Sequence, residues 1–338
     1  MRATLFTVTA ALVVALVSLA SPARAATSKI TVGIVPGGTT FHLPTYVAME
    51  RGFFTKEGLD AKWVRLGPKA LVTAGITGEL DFVPVTVGGA VAALHGAPIA
   101  YVVGQSSGSP WMIVADKGIK KPEDLRGKTI AYGQPATASY DEGATVLSRF
   151  FHMEPGKDYK VISFQGQPDE IAALENGNVQ AALLTVADAV KAEKAGFPVV
   201  IDTGRYMPRL AGPIWTARAF TEKNPDTVKA FIRAVAEAIL YIRDNKQGTM
   251  PIFKTYLGID DPEEQSLLWD ELHNVFDASL PAKPFRAIFE SSRLGMVATG
   301  QWPKDKALPD TESFVARPLL NGALKEVHYV PPPVGTAK

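Results

Sequence analysis

The chain has 338 residues, 46% of them hydrophobic, with 35 Lys and Arg against 34 Asp and Glu, a formal charge of +1. That length allows a large core or two domains, and the balanced, scattered charge excludes a nucleic-acid stripe or a bulk field for an anionic membrane. Without cysteine, the chain has no disulfide, no thiolate nucleophile and no thiolate metal ligand.

Residues 1–25 read as a targeting segment. Arg2 supplies a minimal positive start, residues 5–19 are apolar, and Ala23 and Ala25 form an A-x-A pattern before Ala26. The apolar run is about 15 residues, short of the roughly 20 that a membrane span needs. The expectation is a signal cleaved near Ala25, leaving 33 basic against 34 acidic side chains. No cysteine is present for a lipid anchor, so the expected mature protein is soluble in the periplasm.

Residues 30–35 read as a strand, followed by a turn-rich loop at 36–40 and an amphipathic helix stopped at Arg51-Gly52. A glycine loop between strand and helix leaves free N–H groups and a positive dipole end, which favour an anion. Strands at 60–66, 80–85 and 98–103 then alternate with helices at 70–77 and 90–95. Pro84 pushes the second of these strands towards an edge or an end. After a flexible run at 104–110, strands are expected at 111–115, 129–132, 160–164, 179–184 and 197–201. A short helix and turn at 121–128 and helices at 140–151, 168–176 and 187–195 separate them. Such alternation means an α/β sheet, mostly parallel.

The middle block echoes the first. Gly78-Glu79-Leu80-Asp81 matches Gly177-Asn178-Val179-Gln180 as helix end, turn and strand start, and the loop at 133–139 matches that at 36–40. This order of elements reads as two lobes of like topology. From Gly212 the pattern becomes helical after one more strand at 213–217. Asn224-Pro225-Asp226 is expected to cap a helix, with Val228, Phe231, Ile232, Val235, Ile239 and Ile242 as its apolar stripe. Further helices are expected from Asp261-Pro262-Glu263 and at 285–299, packed on lobe one.

Four stretches carry a resemblance: PTYVAMERGFF with EGL at 44–59, ITGELDF at 76–82, PEDLRGKTIA at 122–131 and LENGNVQA at 174–181. Together the chain resembles the substrate-binding proteins of ABC importers in the nitrate/sulfonate/taurine and thiamine-pyrimidine-precursor branch, over about residues 29–325. The resemblance implies a two-lobed type II periplasmic binding fold, with ligand between the lobes beyond the strand ends and closure by a hinge. The implied domains are 26–107 as lobe one, 108–211 as lobe two, 212–330 as the mainly helical remainder of lobe one, and 331–338 as a tail. Crossings are expected near 106–110 and 209–213. Where many relatives carry Trp-Glu-Pro, this chain has Leu184-Thr185-Val186-Ala187-Asp188, and it lacks the cysteine cluster of the precursor-synthase branch.

Candidate ligand contacts are Thr39, Thr40, Phe41 and His42 in the first loop, and Thr86 and Gly88 at the second helix entry. Ser106 belongs to the crossing; Gln134, Thr137, Ser139 and Thr185 belong to lobe two. Trp215 is a stacking candidate whose other reading is core packing. Asp188 reads as a helix cap, and Lys69 and Arg205 as solvated cations able to pair with an anion. No catalytic constellation stands out: His42, His95, His152, His273 and His328 lie far apart without metal-ligand spacing, and there is no phosphate loop. The expected function is capture of a small polar, anionic solute of the sulfonate or carboxylate class. Delivery would be to an ABC permease with its cytoplasmic ATPase, by a monomer without cofactor or metal. The alternatives are a pyrimidine-precursor binding or synthesis protein, and a receptor for a membrane sensor.

Overall fold

A computed structural model describes residues 27–35, 39–107, 111–134, 137–206 and 210–332. The segment read as a signal, residues 36–38 and 135–136 of the two loops, and residues 333–338 of the tail lie outside the described residues, as do 108–110 and 207–209 within the two crossings. The described strands are β1 Ser28–Ile34, β2 Leu59–Arg65, β3 Ile99–Val103, β4 Trp111–Ala115, β5 Thr129–Tyr132, β6 Lys160–Ser163, β7 Ala181–Thr185, β8 Val199–Asp202 and β9 Ile214–Ala217.

Lobe two is a five-stranded sheet in the order β6-β5-β7-β4-β8. Its strands alternate between two apolar faces. Ile113, Ile130, Tyr132, Leu183 and Ile201 enter one core cluster, and Val114, Ala131, Ala182 and Leu184 the other. A sheet covered on both faces needs apolar residues at successive positions. Strand β5 runs parallel to β6 and β7, whereas β4 is antiparallel to β7 and β8.

Lobe one repeats this order. β1 pairs with β2 in parallel, Val32 bridges Phe82 in parallel, Val83 bridges Trp215 antiparallel, and β9 is antiparallel to β3. The order is therefore β2, β1, the Phe82-Val83 pair, β9, β3. In each lobe the antiparallel strand is the one that follows a crossing: β4 arrives from β3, and β9 from β8. The expected strand at 80–85 shrinks to Phe82 and Val83, because Pro84 has no N–H to continue the ladder.

The helical expectations differ from the structure in several places, and helices such as Arg218–Lys223 and Arg317–Glu326 do not appear among them at all. Leu43–Glu50 is not amphipathic; all of Leu43 to Ala48 is buried under helix Pro225–Asp244, which it contacts. Residues 121–128 form a short 3-10 turn, Pro122–Leu125. Asn224 makes no side-chain cap bond, whereas Asp261 accepts from the N–H groups of Glu263 and Glu264. Helix Lys246–Leu257 escapes the sequence reading because Gly248 and Pro251 interrupt it; Asn245 caps it through Gly248 N.

The stripe of Pro225–Asp244 is buried as expected. Phe231 stacks on Phe82 at 3.7 Å between ring centroids, so the C-terminal helices share one core with the lobe-one sheet. Helix Val186–Lys194 of lobe two packs on Pro262–Leu272, where Lys194 lies 2.7 Å from Asp261. Among the described residues no helix is long and apolar enough to cross a membrane.

Candidate functional site

The strand ends of the two lobes carry the loops singled out in the sequence. Thr39 leads into a 3-10 turn, Thr40–His42, and then into helix Leu43–Glu50. The backbone N–H of Thr39 donates to the Tyr46 hydroxyl at 3.2 Å. The hydroxyl oxygens of Thr39 and Thr40 and Nδ1 of His42 are buried without a hydrogen-bond partner. Buried polar atoms are nearly always paired, so three unpartnered ones in four residues set this loop apart.

His42 is 4% exposed, with Nε2 3.1 Å from the Pro84 carbonyl. A carbonyl can only accept, so Nε2 carries the proton and Nδ1 is a bare acceptor. Burial lowers the His42 pKa to about 4, outweighing the Pro84 bond, so the ring is neutral at pH 7. It therefore offers this loop no positive charge.

Phe41 faces the other lobe. Its ring meets Trp111, the first residue of β4, edge-on at 6.1 Å. Sequence reading treated Trp111 as a strand residue; only the crossing geometry brings it to the cleft.

The crossings are tied together by groups that the sequence reading partly missed. Ser106 and Ala211 exchange backbone hydrogen bonds of 3.2 and 3.1 Å. Gln105, fully buried, donates Nε2–H to the Gly212 carbonyl at 2.7 Å, and the Thr45 hydroxyl lies 3.2 Å from its Oε1. Gly212 N donates to the Thr86 hydroxyl at 2.9 Å. Gly212 has φ +64, and a Cβ there would lie 3.2 Å from both Phe41 Cβ and Gln105 Nε2. Thr86 and Ser106 thus hold the hinge. The visible signal was a glutamine beside small residues between two apolar strands.

In lobe two, Thr137 caps helix Ala138–Phe151, its hydroxyl donating to the Gln134 carbonyl at 2.7 Å and lying 3.1 Å from the Ser139 hydroxyl. Thr185 N donates to Gln167 Oε1 at 3.1 Å, and its hydroxyl to Asp188 at 3.1 Å. These groups lie at the start of the helices that follow β5, β6 and β7, at the strand ends of lobe two.

Two candidates lie elsewhere. Trp215 is 0% exposed, donates Nε1–H to the Val85 carbonyl at 3.0 Å, and belongs to the lobe-one core rather than to a stacking surface. A Cβ on Gly88 would lie 2.7 Å from Val72 Cγ2, so this glycine serves helix packing. Of the two cations, Arg205 pairs with Asp202 at 3.1 Å, and Lys69 lines a separate groove with Leu66, Thr73 and Glu79.

Two like α/β lobes, each with one strand supplied after a crossing, define a type II periplasmic binding fold. A family model described as NMT1/THI5 like matches residues 39–248, more than half of the chain, and the chain belongs to that family. It is 28% identical over 207 residues to the taurine-binding periplasmic protein of Escherichia coli (strain K12). That match covers 58% of this chain and 62% of the relative, under two thirds of its length. Among solved structures, the aliphatic sulphonate binding protein SsuA of Escherichia coli superposes with a TM-score of 0.71 at 19% identity, covering 85% of this chain and 92% of that one. The desulfurization enzyme DSZB has the same fold at a TM-score of 0.59 and 13% identity, covering 88% and 99%.

Proposed function

We propose that this chain is a periplasmic solute-binding protein that holds a small anion of the sulfonate or carboxylate class between its lobes and presents the closed form to the permease of an ABC importer. The observation that carries the reading is the first loop, where two buried Thr hydroxyls lack partners beside a histidine held neutral. Hydroxyl donors in a low-dielectric cleft stabilise an anion without a full countercharge. The family membership, and the names of a taurine-binding and a sulphonate-binding relative, support the sulfonate class.

Binding rather than catalysis is favoured by chemistry. The chain has no cysteine to act as nucleophile. Its neutral, buried His42 spends its proton on a main-chain carbonyl, which leaves no acid–base pair in the first loop. Closure brings Phe41 and Trp111 together over the ligand, with the Gln105–Gly212–Thr86 contacts as the pivot.

The test is thermal unfolding and tryptophan emission with 2-aminoethanesulfonate, ethanesulfonate and nitrate. A true ligand at one hundred times its Kd stabilises by about 2.7 kcal/mol and shifts the emission of Trp111. If none of the three moves the melting temperature or the emission, the anion reading fails.

A further inference from the structure

We propose that Tyr329, near the end of the chain, is a positioning residue for the hinge between the lobes. It fastens residues 275–279 against the first crossing, so a C-terminal side chain sets how the two lobes are oriented. The inference takes the hinge from the function proposed above, but its test needs no ligand, so it can fail without that function failing.

Three lengths of backbone meet at Ser106. Ala211 of the second crossing pairs with it antiparallel on one side, and Phe276 pairs with it antiparallel on the other. The second pairing is extensive. Gly104 N donates to the Ala278 carbonyl at 2.9 Å, Asp277 N to the Gln105 carbonyl at 3.2 Å, and Ser107 N to the Val275 carbonyl at 2.7 Å. The Ser107 hydroxyl donates to the same Val275 carbonyl at 3.0 Å. A Cβ on Gly104 would collide with the carbonyl oxygens of Ser279 and Asp277, so only glycine permits this approach. The first crossing is therefore the middle of a three-membered ribbon. Its outer member comes from the turn between helices Pro262–Leu272 and Ala282–Ala298, not from a crossing.

Tyr329 holds that outer member in place. Its hydroxyl accepts from Ala278 N at 2.8 Å and from Arg243 Nη2 at 2.9 Å, and donates to Asp277 Oδ1 at 3.1 Å. A phenol has one donor and two acceptor sites, so this hydroxyl is fully used, and two of its three bonds end on residues 275–279. Arg243 Nη2 also donates to the Phe276 carbonyl at 2.8 Å, with its guanidinium over the Tyr329 ring at 5.3 Å. Asp277 is 5% exposed, and its Oδ1 also accepts from Ser279 N at 2.9 Å. Phe276 and Ala278 are buried in the lobe-one core. The outer member thus belongs to lobe one, while the middle one leads on to β4 of lobe two. A change in lobe orientation passes through residues 104–107, which move only as far as residues 275–279 yield. Loss of the Tyr329 hydroxyl leaves Ala278 N without its acceptor and Asp277 with one donor fewer, and so lets the outer member move with the crossing.

The experiment compares the whole protein with Tyr329→Phe and Gly104→Ala by amide hydrogen exchange and by the distance between spin labels on the two lobes. The chain has no cysteine, so Glu79→Cys and Lys157→Cys, exposed positions in lobe one and lobe two, carry the only labels. In Tyr329→Phe the amides of Gly104, Ser107 and Asp277, none of which bonds to Tyr329, are expected to exchange about tenfold faster. Gly33 and Trp215, whose amides pair within the lobe-one sheet, keep their wild-type rates, and the interlobe distance distribution broadens. Gly104→Ala pushes on the ribbon from the crossing side with Tyr329 intact. It is expected to give the same two changes, and it decides the question if Tyr329→Phe does not fold. Equal acceleration of all lobe-one amides would mean lost stability alone and overturns the proposal. So do unchanged rates at Gly104, Ser107 and Asp277, or a wild-type distance distribution in either variant.

Discussion

Replacing His42 by Gln is expected to remove a pH dependence from the stability of lobe one. His42 is buried with Nε2–H on the Pro84 carbonyl, and burial lowers its pKa from 6.5 to about 4. Between those values the unfolded chain binds a proton that the folded chain refuses. The contribution to stability is thus fully present above pH 6.5 and is lost as pH falls towards 4. Two and a half pH units at 1.36 kcal/mol each amount to about 3 kcal/mol. Glutamine retains an N–H for Pro84 but does not titrate. Urea unfolding of both proteins at several pH values from 7 to 4 reads the effect: the stability of wild type minus that of His42→Gln is expected to fall by about 3 kcal/mol across that range. Glu170 acts in the opposite sense, because its raised pKa makes the folded state hold an extra proton between 4.5 and about 8. It is common to both proteins and cancels in the difference. A difference that stays flat, or a His42 resonance titrating near pH 6.5, would refute the burial argument.

Three further outcomes follow from contacts in the fold. Gly89→Ala places a Cβ 2.4 Å from Trp215 Nε1 and 2.7 Å from the Tyr101 hydroxyl, and overpacking of this kind costs about 1–3 kcal/mol; urea unfolding measures it, and a neutral result would show that helix Thr86–Leu94 shifts freely. Gln105→Leu leaves the buried Gly212 carbonyl without its donor and is expected to cost about 1–3 kcal/mol of stability, read as a lower urea midpoint at unchanged slope. Phe41→Ala removes the ring that meets Trp111 across the lobes; an aromatic pair adds about 0.5–1.5 kcal/mol, so ligand affinity drops up to about tenfold and the ligand-induced change in tryptophan emission shrinks.

Local chemistry made much of this protein legible without coordinates. Alternating strands and helices, the apolar stripe of Pro225–Asp244, and glycines at Gly52, Gly78 and Gly177, which adopt φ +72, +79 and +72 at helix ends, depend on a few neighbouring residues. The same is true of the four stretches that carry the family resemblance, and the family match confirms them. That Thr39–His42 and Thr137–Ser139 each stand between a strand and a helix could be read from the sequence, because turn and capping chemistry is local.

What the sequence could not decide depends on partners far away in the chain. The antiparallel seats of β4 and β9 are settled by which lobe each strand enters after its crossing. Trp215 lies in the core because Val85 supplies a carbonyl for its ring N–H, and Gln105 matters because Gly212, 107 positions later, turns its carbonyl towards it. His42 and Glu170 look like ordinary titrating side chains in the sequence. Tertiary packing strips both of water, so one refuses a proton and the other keeps it. Composition and periodicity report a residue's type and phase; desolvation and hydrogen-bond satisfaction exist only once distant elements have closed around it.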